Sequence, residues 1–208
     1  GTALVYSQFR KLEGLGILAA ALEKAGYAEL KLTRVNGNWE YDIMPEDTKK
    51  PKYFMFTKAN DESTQLLLRI YNNDIDKLPS TLKNKISDIS VDGKTDNLHG
   101  SLAKIMMITQ SGAEGISTKN VRQVHVMEPY WNQVRIRQVI GRGVRFRSHI
   151  ALPPEERNVE VFRYFSKLTR DQMLVTREKI STDEHIEEIS MKKQGIIDEL
   201  EQCLKEAA

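Results

Sequence analysis

Hydrophobic and polar positions follow two periods along this chain. Ala3 to Ser7 ("ALVYS") is a short continuous apolar run of the kind found in strands buried on both faces. In the segment after it, Leu12, Leu15, Leu18 and Leu22 recur at helical spacing, and Gly26 supplies a stop. Gly14 and Gly16 weaken that helix without cancelling it. Further strands are expected at Lys52 to Thr57, Lys104 to Thr109, Arg122 to Met127 and Val159 to Phe165. Asp61 is placed to cap a helix that buries Leu66, Leu67, Ile70 and Tyr71. Strands separated by helical segments imply an α/β fold, a mostly parallel sheet with helices on both faces.

Two stretches depart from this alternation. Residues 33–51 are polar and rich in turn formers, and read as an exposed insert with a small hairpin at Asn36-Gly37. From Ser181 the period becomes purely helical. Ser181 and Glu184 make a capping box, and Ile186, Ile189, Ile196, Leu200 and Leu204 mark one face of a long helix. That face is expected to pack on the sheet domain, or else on a partner. The division is therefore a sheet domain over 1–167 and a helical extension over 168–208.

Charge changes the picture by its distribution. The formal net charge is only +2, so bulk charge does not indicate a nucleic-acid partner. Residues 135–147, however, hold Arg135, Arg137, Arg142, Arg145 and Arg147 and no carboxylate, while Ser181 to Ala208 carries eight acids against three lysines. A single cysteine, Cys203, excludes an internal disulfide. No apolar run is long enough for a membrane helix, and no signal peptide opens the chain. It begins directly on a core strand and reads as a piece of something longer. The four histidines, His99, His125, His149 and His185, have no metal-ligand spacing with Cys203, so no metal site is expected; His149 reads as a surface residue beside the arginines.

Open parallel sheets bind ligands at the carboxyl ends of their strands. Two polar loops are expected there, on one edge. "TQSGAEGIST" follows the third strand; Gly112 and Gly115 permit positive φ, and the surrounding hydroxyls and N–H groups suit an anion. It is not a Walker A loop, since no Gly-Lys-Ser/Thr occurs. The arginine segment follows the fourth strand. A helix from Asn132 to Ile140 puts Arg135, Gln138 and Arg142 on one face, and the guanidinium fork matches phosphate geometry. The glycines there let the chain approach a ligand closely.

These residues resemble the motifs of superfamily 2 helicases and translocases, in their second RecA-like domain. "QVIGRGVR" (Gln138 to Arg145) resembles motif six, "TQSGAEGIS" (Thr109 to Ser117) motif five, and "LVYSQF" (Leu4 to Phe9) motif four. "EPYWNQ" is similar to an element of chromatin-remodeller relatives. The run from Lys119 to Arg145 is most similar to ATPases of large cytoplasmic DNA viruses, the group of poxvirus-like early transcription factors and nucleoside triphosphate phosphohydrolases.

The resemblance implies a RecA-like domain whose Arg142 and Arg145 are arginine fingers for ATP held on a first RecA-like domain. It implies that Gln138 couples the two domains, and that Gly115, Ser117 and Gly141 lie near the nucleotide. Thr109, Ser7 and Gln8 would meet the nucleic-acid backbone. ATP and Mg2+ would sit mainly on the first domain. The partners implied are that domain, a nucleic acid and viral transcription subunits, in the host cytoplasm (the viral factory) and the virion. A hydroxyl at Ser117 replaces the carboxylate often found there, which leaves a ribose contact open. Without the first domain, residues 1–208 are expected to be inactive. Three other readings stay open from the residues: a nucleic-acid-binding or protein-binding domain of degenerate helicase fold without ATPase coupling, a structural domain whose arginines face an acidic protein, and a metabolic α/β enzyme. The last lacks a dinucleotide-binding glycine turn.

Overall fold

A computed structural model describes residues 1–11, 13–56, 60–110 and 115–206. The expected helix position Leu12 and the turn residues Ser111 and Gly112 lie outside them.

Five strands form where the apolar runs predict them: β1 (Thr2–Tyr6), β5 (Lys52–Phe56), β6 (Ile105–Ile108), β7 (Val121–Val126) and β8 (Glu160–Arg163). A two-residue strand, β2 (Ala28–Glu29), completes a six-stranded sheet in the order β2-β5-β6-β1-β7-β8. Every pairing in it is parallel. The fold is the α/β class that the pattern implied, a parallel sheet with helices on both faces.

Alternation sends the two sides of each strand into separate cores. Leu4, Tyr6, Phe54, Phe56, Met106, Ile108, Val124 and Val126 join one apolar cluster. Helices α2 (Glu62–Tyr71), α3 (Ser80–Asn84) and α4 (Gln133–Gly143) contribute to it. Val5, Tyr53 and Met107 face the other way, onto Leu15 and Ala19 of α1 (Leu15–Lys24). The Asp61 carboxylate caps α2, accepting the Thr64 N–H at 3.0 Å.

The polar insert is less exposed than its composition suggested. β3 (Lys31–Val35) and β4 (Asn38–Asp42) form an antiparallel hairpin. Asn36 and Gly37 turn it with φ of 50° and 82°, the left-handed pair of a type I′ turn. Leu32, Trp39 and Tyr41 pack against the main core, and the Tyr41 hydroxyl donates to the Leu82 carbonyl at 3.0 Å. Three aromatic or apolar side chains on one face of a polar hairpin are enough to dock it.

The C-terminal extension comprises α5 (Arg170–Thr176) and α6 (Thr182–Glu206). The Ser181–Glu184 capping box forms, with bonds of 3.0 and 3.1 Å. Only the first half of α6 docks. The Glu187 carboxylate accepts from Arg163 at 2.8 Å and from Gln133 at 3.3 Å, and Lys193 lies over the Trp131 ring. Beyond Gln194 the helix leaves the sheet domain, and Ile196, Leu200 and Leu204 are exposed. The expectation that the whole apolar face packs on this domain is thus corrected: the domain surface ends before the helix does.

Candidate nucleotide and nucleic-acid interface

The two loops that were expected on one edge meet at both: Arg135 bonds Gln110 where β6 and β7 end, and Arg142 bonds the Ile116 carbonyl where β7 begins. α4 packs on β7 and runs back along it. A Cβ on Gly143 would meet Val124 and Val121, so the helix ends beside the start of β7. Six strand residues at about 3.3 Å each put roughly 20 Å between the two edges. Arg142 and Arg145 therefore lie at the edge where β7 begins. Thr109 follows the end of β6, whereas the Ser117 carbonyl and the Lys119 N–H are bonded to Asn72 at the far end of α2.

At the first edge, Asn132 caps α4 by accepting the Val134 N–H at 2.8 Å. The helix runs past Ile140 to include Arg142. Arg142 is half-buried; its Nη1 donates to the Ile116 carbonyl at 3.1 Å, and the Thr118 hydroxyl donates to the Arg142 carbonyl at 2.5 Å. These two bonds fix the last turn of α4 to the second half of the glycine segment. Arg145 is exposed, and among the described residues its guanidinium has no bonded partner. Gly115 has φ +77° and, like Ser117, is exposed. Gln138 is exposed one turn before Arg142, and among the described residues no atom beyond the neighbouring helix backbone stands within 4 Å of a Cβ built on Gly141. The structure thus brings Arg142, Gly115 and Ser117 together, with Arg145 beyond the helix end and Gln138 and Gly141 on its outer side. Gly143 serves packing and not ligand approach, because its missing side chain is what admits β7.

At the other edge, the exits of β1, β6 and β7 converge. Gln8 donates its backbone N–H to the Glu128 carboxylate and its side-chain amide to the Pro129 carbonyl at 3.3 Å. Burial pushes the Glu128 carboxyl up, against the pull of that N–H. Arg135 donates to Gln110 at 2.9 Å and stacks over Tyr130 at 4.2 Å. Thr109 is 6% exposed. Ser7 is fully buried, with its hydroxyl bonded to the Phe9 backbone, so direct contact of this side chain with a strand is corrected to a role in shaping the turn. A Cβ on Gly14 would fall 2.4 Å from the Ser7 Oγ, which is why that turn needs a glycine.

Sequence reasoning missed three residues. Thr118 was seen only as one hydroxyl among several, and Gln110 and Tyr130 gave no signal of joining Arg135. His149, expected at the surface, is 8% exposed and bonded to Ser148 and to the Val121 carbonyl. Among the described residues no group of three His, Cys, Asp or Glu is placed to hold a metal ion. No described helix is long and apolar enough to cross a membrane.

Comparison with known proteins bears on the same segments. The family model of the helicase conserved C-terminal domain matches residues 38–147. A protein of Acanthamoeba polyphaga mimivirus, named as an ATP-dependent RNA helicase, is 30% identical over 213 residues, covering 100% of this chain and 21% of that protein. A termination factor NPH-I homolog of African swine fever virus is 33% identical over 218 residues, again over 100% of this chain and 30% of the relative. A solved structure, the C-terminal part of the Fun30 ATPase domain, aligns at 16% identity with a TM-score of 0.43, over 97% of this chain and 48% of that one. The chain thus spans less than a third of the length of these viral relatives. With a family match over more than half of its residues, the chain belongs to the helicase conserved C-terminal domain family.

Proposed function

We propose that this chain is the C-terminal motor domain of an ATP-dependent nucleic-acid helicase or translocase that works in viral transcription or replication. The observation that carries the proposal is the pairing of Arg142 with the glycine segment, while Arg145 stands exposed beside it, its guanidinium without a bonded partner among the described residues. A guanidinium left without an internal partner is available for phosphate. In this reading ATP is held on the first RecA-like domain, which also supplies the Mg2+ ligands. Arg142 and Arg145 reach the γ-phosphate and stabilise charge in the transition state. Gly115, Ser117 and Gly141 face the nucleotide side, and Gln138 couples the two domains.

The second edge then serves the nucleic acid. Gln8, Gln110 and Arg135 offer polar groups at the strand exits, over the buried Thr109, suited to sequence-independent phosphate contact. Helix α4 joins this edge to the arginine edge, with Arg135 bonded to Gln110 at one end and Arg142 to the Ile116 carbonyl at the other. Closure on ATP and opening after hydrolysis can thus be transmitted between them. The relatives' names, an RNA helicase and a termination factor, favour a transcription role. The proposal adds viral transcription subunits as partners, in the viral factory of the host cytoplasm and in the virion.

The test uses the full-length protein. Arg142→Ala and Arg145→Ala are expected to lower nucleic-acid-stimulated ATP turnover by about 10³-fold while single-strand binding is retained. Unchanged turnover in both variants removes the finger role and leaves a non-catalytic binding domain. Residues 1–208 alone are expected to hydrolyse ATP negligibly, because the sequence has no Gly-Lys-Ser/Thr phosphate loop and arginine fingers supply no base, metal or phosphate cradle of their own.

A further inference from the structure

The loop that follows α4 is built inside out. Ser148 and His149 are 9% and 8% exposed, whereas Val144, Phe146 and Ile150 are 51%, 93% and 62% exposed. Polar side chains are buried in native structures when they have partners to satisfy. Here the partners are backbone atoms of the loop and of the sheet. The Ser148 Oγ lies 2.8 Å from the Arg145 carbonyl, 3.3 Å from the Arg145 nitrogen and 2.8 Å from His149 Nδ1. His149 Nε2 lies 2.5 Å from the Val121 carbonyl. Asn120 donates its N–H to the Ser148 carbonyl at 3.0 Å.

The hydrogens can be counted. The Val121 carbonyl only accepts, so His149 Nε2 carries a hydrogen. The Ser148 hydroxyl gives its own hydrogen either to the Arg145 carbonyl or to Nδ1. In the first case Nδ1 is a second donor; in the second it accepts. Both arrangements give an unbroken chain from Arg145 through Ser148 and His149 to β7. The anchor point is itself irregular. Thr2 faces Val121 and Ala3 faces Gln123, so Arg122 is an extra residue in the ladder. Bulges of this kind recur beside active sites, where they re-aim neighbouring groups. Arg147, with φ of 63°, holds a left-handed backbone that its surroundings must maintain.

We propose that Ser148 and His149 are positioning residues, which lock the backbone of Arg145 to the start of β7 and so hold its guanidinium out toward the nucleotide. The proposal rests on the reading of Arg145 as a finger. A finger acts only if its backbone is fixed, since an exposed arginine side chain has many conformers of its own.

The test is a double-mutant cycle in the full-length protein, measuring steady-state ATP hydrolysis with single-stranded nucleic acid. Ser148→Ala is expected to lower kcat by about 10- to 100-fold with KM for ATP unchanged. Ser148→Thr, which keeps the hydroxyl, is expected to restore most of it. Placed on Arg145→Ala, the Ser148→Ala change is expected to cause no further loss, because nothing remains to be positioned. An equal loss in both backgrounds, or no loss from Ser148→Ala alone, overturns the proposal and leaves the finger reading standing. No loss from Arg145→Ala overturns the finger reading and this proposal with it. Should Ser148→Ala fail to fold, His149→Asn breaks the same chain at Val121 and is read in the same way.

Discussion

Gly143 and Val124 are packed so closely that a Cβ on the glycine would stand 2.6 Å from the valine Cγ2. This contact sets where α4 ends on β7 and, through the adjacent residue, where Arg142 lies. Gly143→Ala must therefore push helix and strand apart. Overpacking costs about 1–3 kcal/mol, more than the helix-propensity gain of about 1 kcal/mol. A lower unfolding temperature is expected. At Gly141, among the described residues, no atom beyond the neighbouring helix backbone lies within 4 Å of the same Cβ, and Gly141→Ala is expected to raise stability by up to about 1 kcal/mol. Thermal melts of the two variants of residues 1–208 check the opposite signs.

Glu187 joins the extension to the sheet domain through Arg163 and Gln133. Removing the carboxylate leaves the half-buried guanidinium, whose Nε has no hydrogen-bond partner among the described residues, without its charge pair. Glu187→Ala is expected to cost about 1–3 kcal/mol and to loosen α6. Limited proteolysis should then cut faster between the sheet domain and α6. Cleavage at the wild-type rate would mean that apolar contacts, and not this ion pair, hold the helix.

Lys52 opens β5 almost wholly buried, donating to the Thr48 and Lys50 carbonyls at 2.7 and 2.8 Å. Burial, helped by Lys49 and opposed by Asp47, pushes its ammonium down to about 8 from the ordinary 10.5. The unfolded chain keeps this proton up to its ordinary value, whereas the folded chain loses it above about 8. Between these values the unfolded state binds the extra proton, so stability rises with pH. Relative to Lys52→Met, the wild type should gain at most about 3 kcal/mol across that window and keep a constant offset below it. Denaturant unfolding of both proteins on the two sides of the window measures the difference; a constant difference throughout removes the linkage.

Local features of this protein were legible from its order of residues. The apolar runs of β1, β5, β6, β7 and β8, the Asp61 cap, the Asn36-Gly37 turn and the Ser181–Glu184 box all formed. Each depends on groups a few residues apart, whose bonds and periods are set by the backbone alone. The resemblance of the glycine and arginine segments to helicase motifs was readable for the same reason, since a motif is a local string.

Position across the fold was not legible in that way. Whether Arg142 falls at the exit or the start of β7 depends on α4 running antiparallel to the strand it covers, and on the single missing side chain that seats it there. The burial of Ser7 depends on Gly14, and that of His149 on the Val121 carbonyl, 28 residues earlier in the chain. Chain order alone determined the elements, their caps and the family signature, because those interactions close over short loops. Only the tertiary structure decided which edge each loop reaches, which hydroxyls and imidazoles go inside, and where α6 leaves the domain. Those outcomes are settled by packing and by hydrogen bonds between residues far apart in sequence.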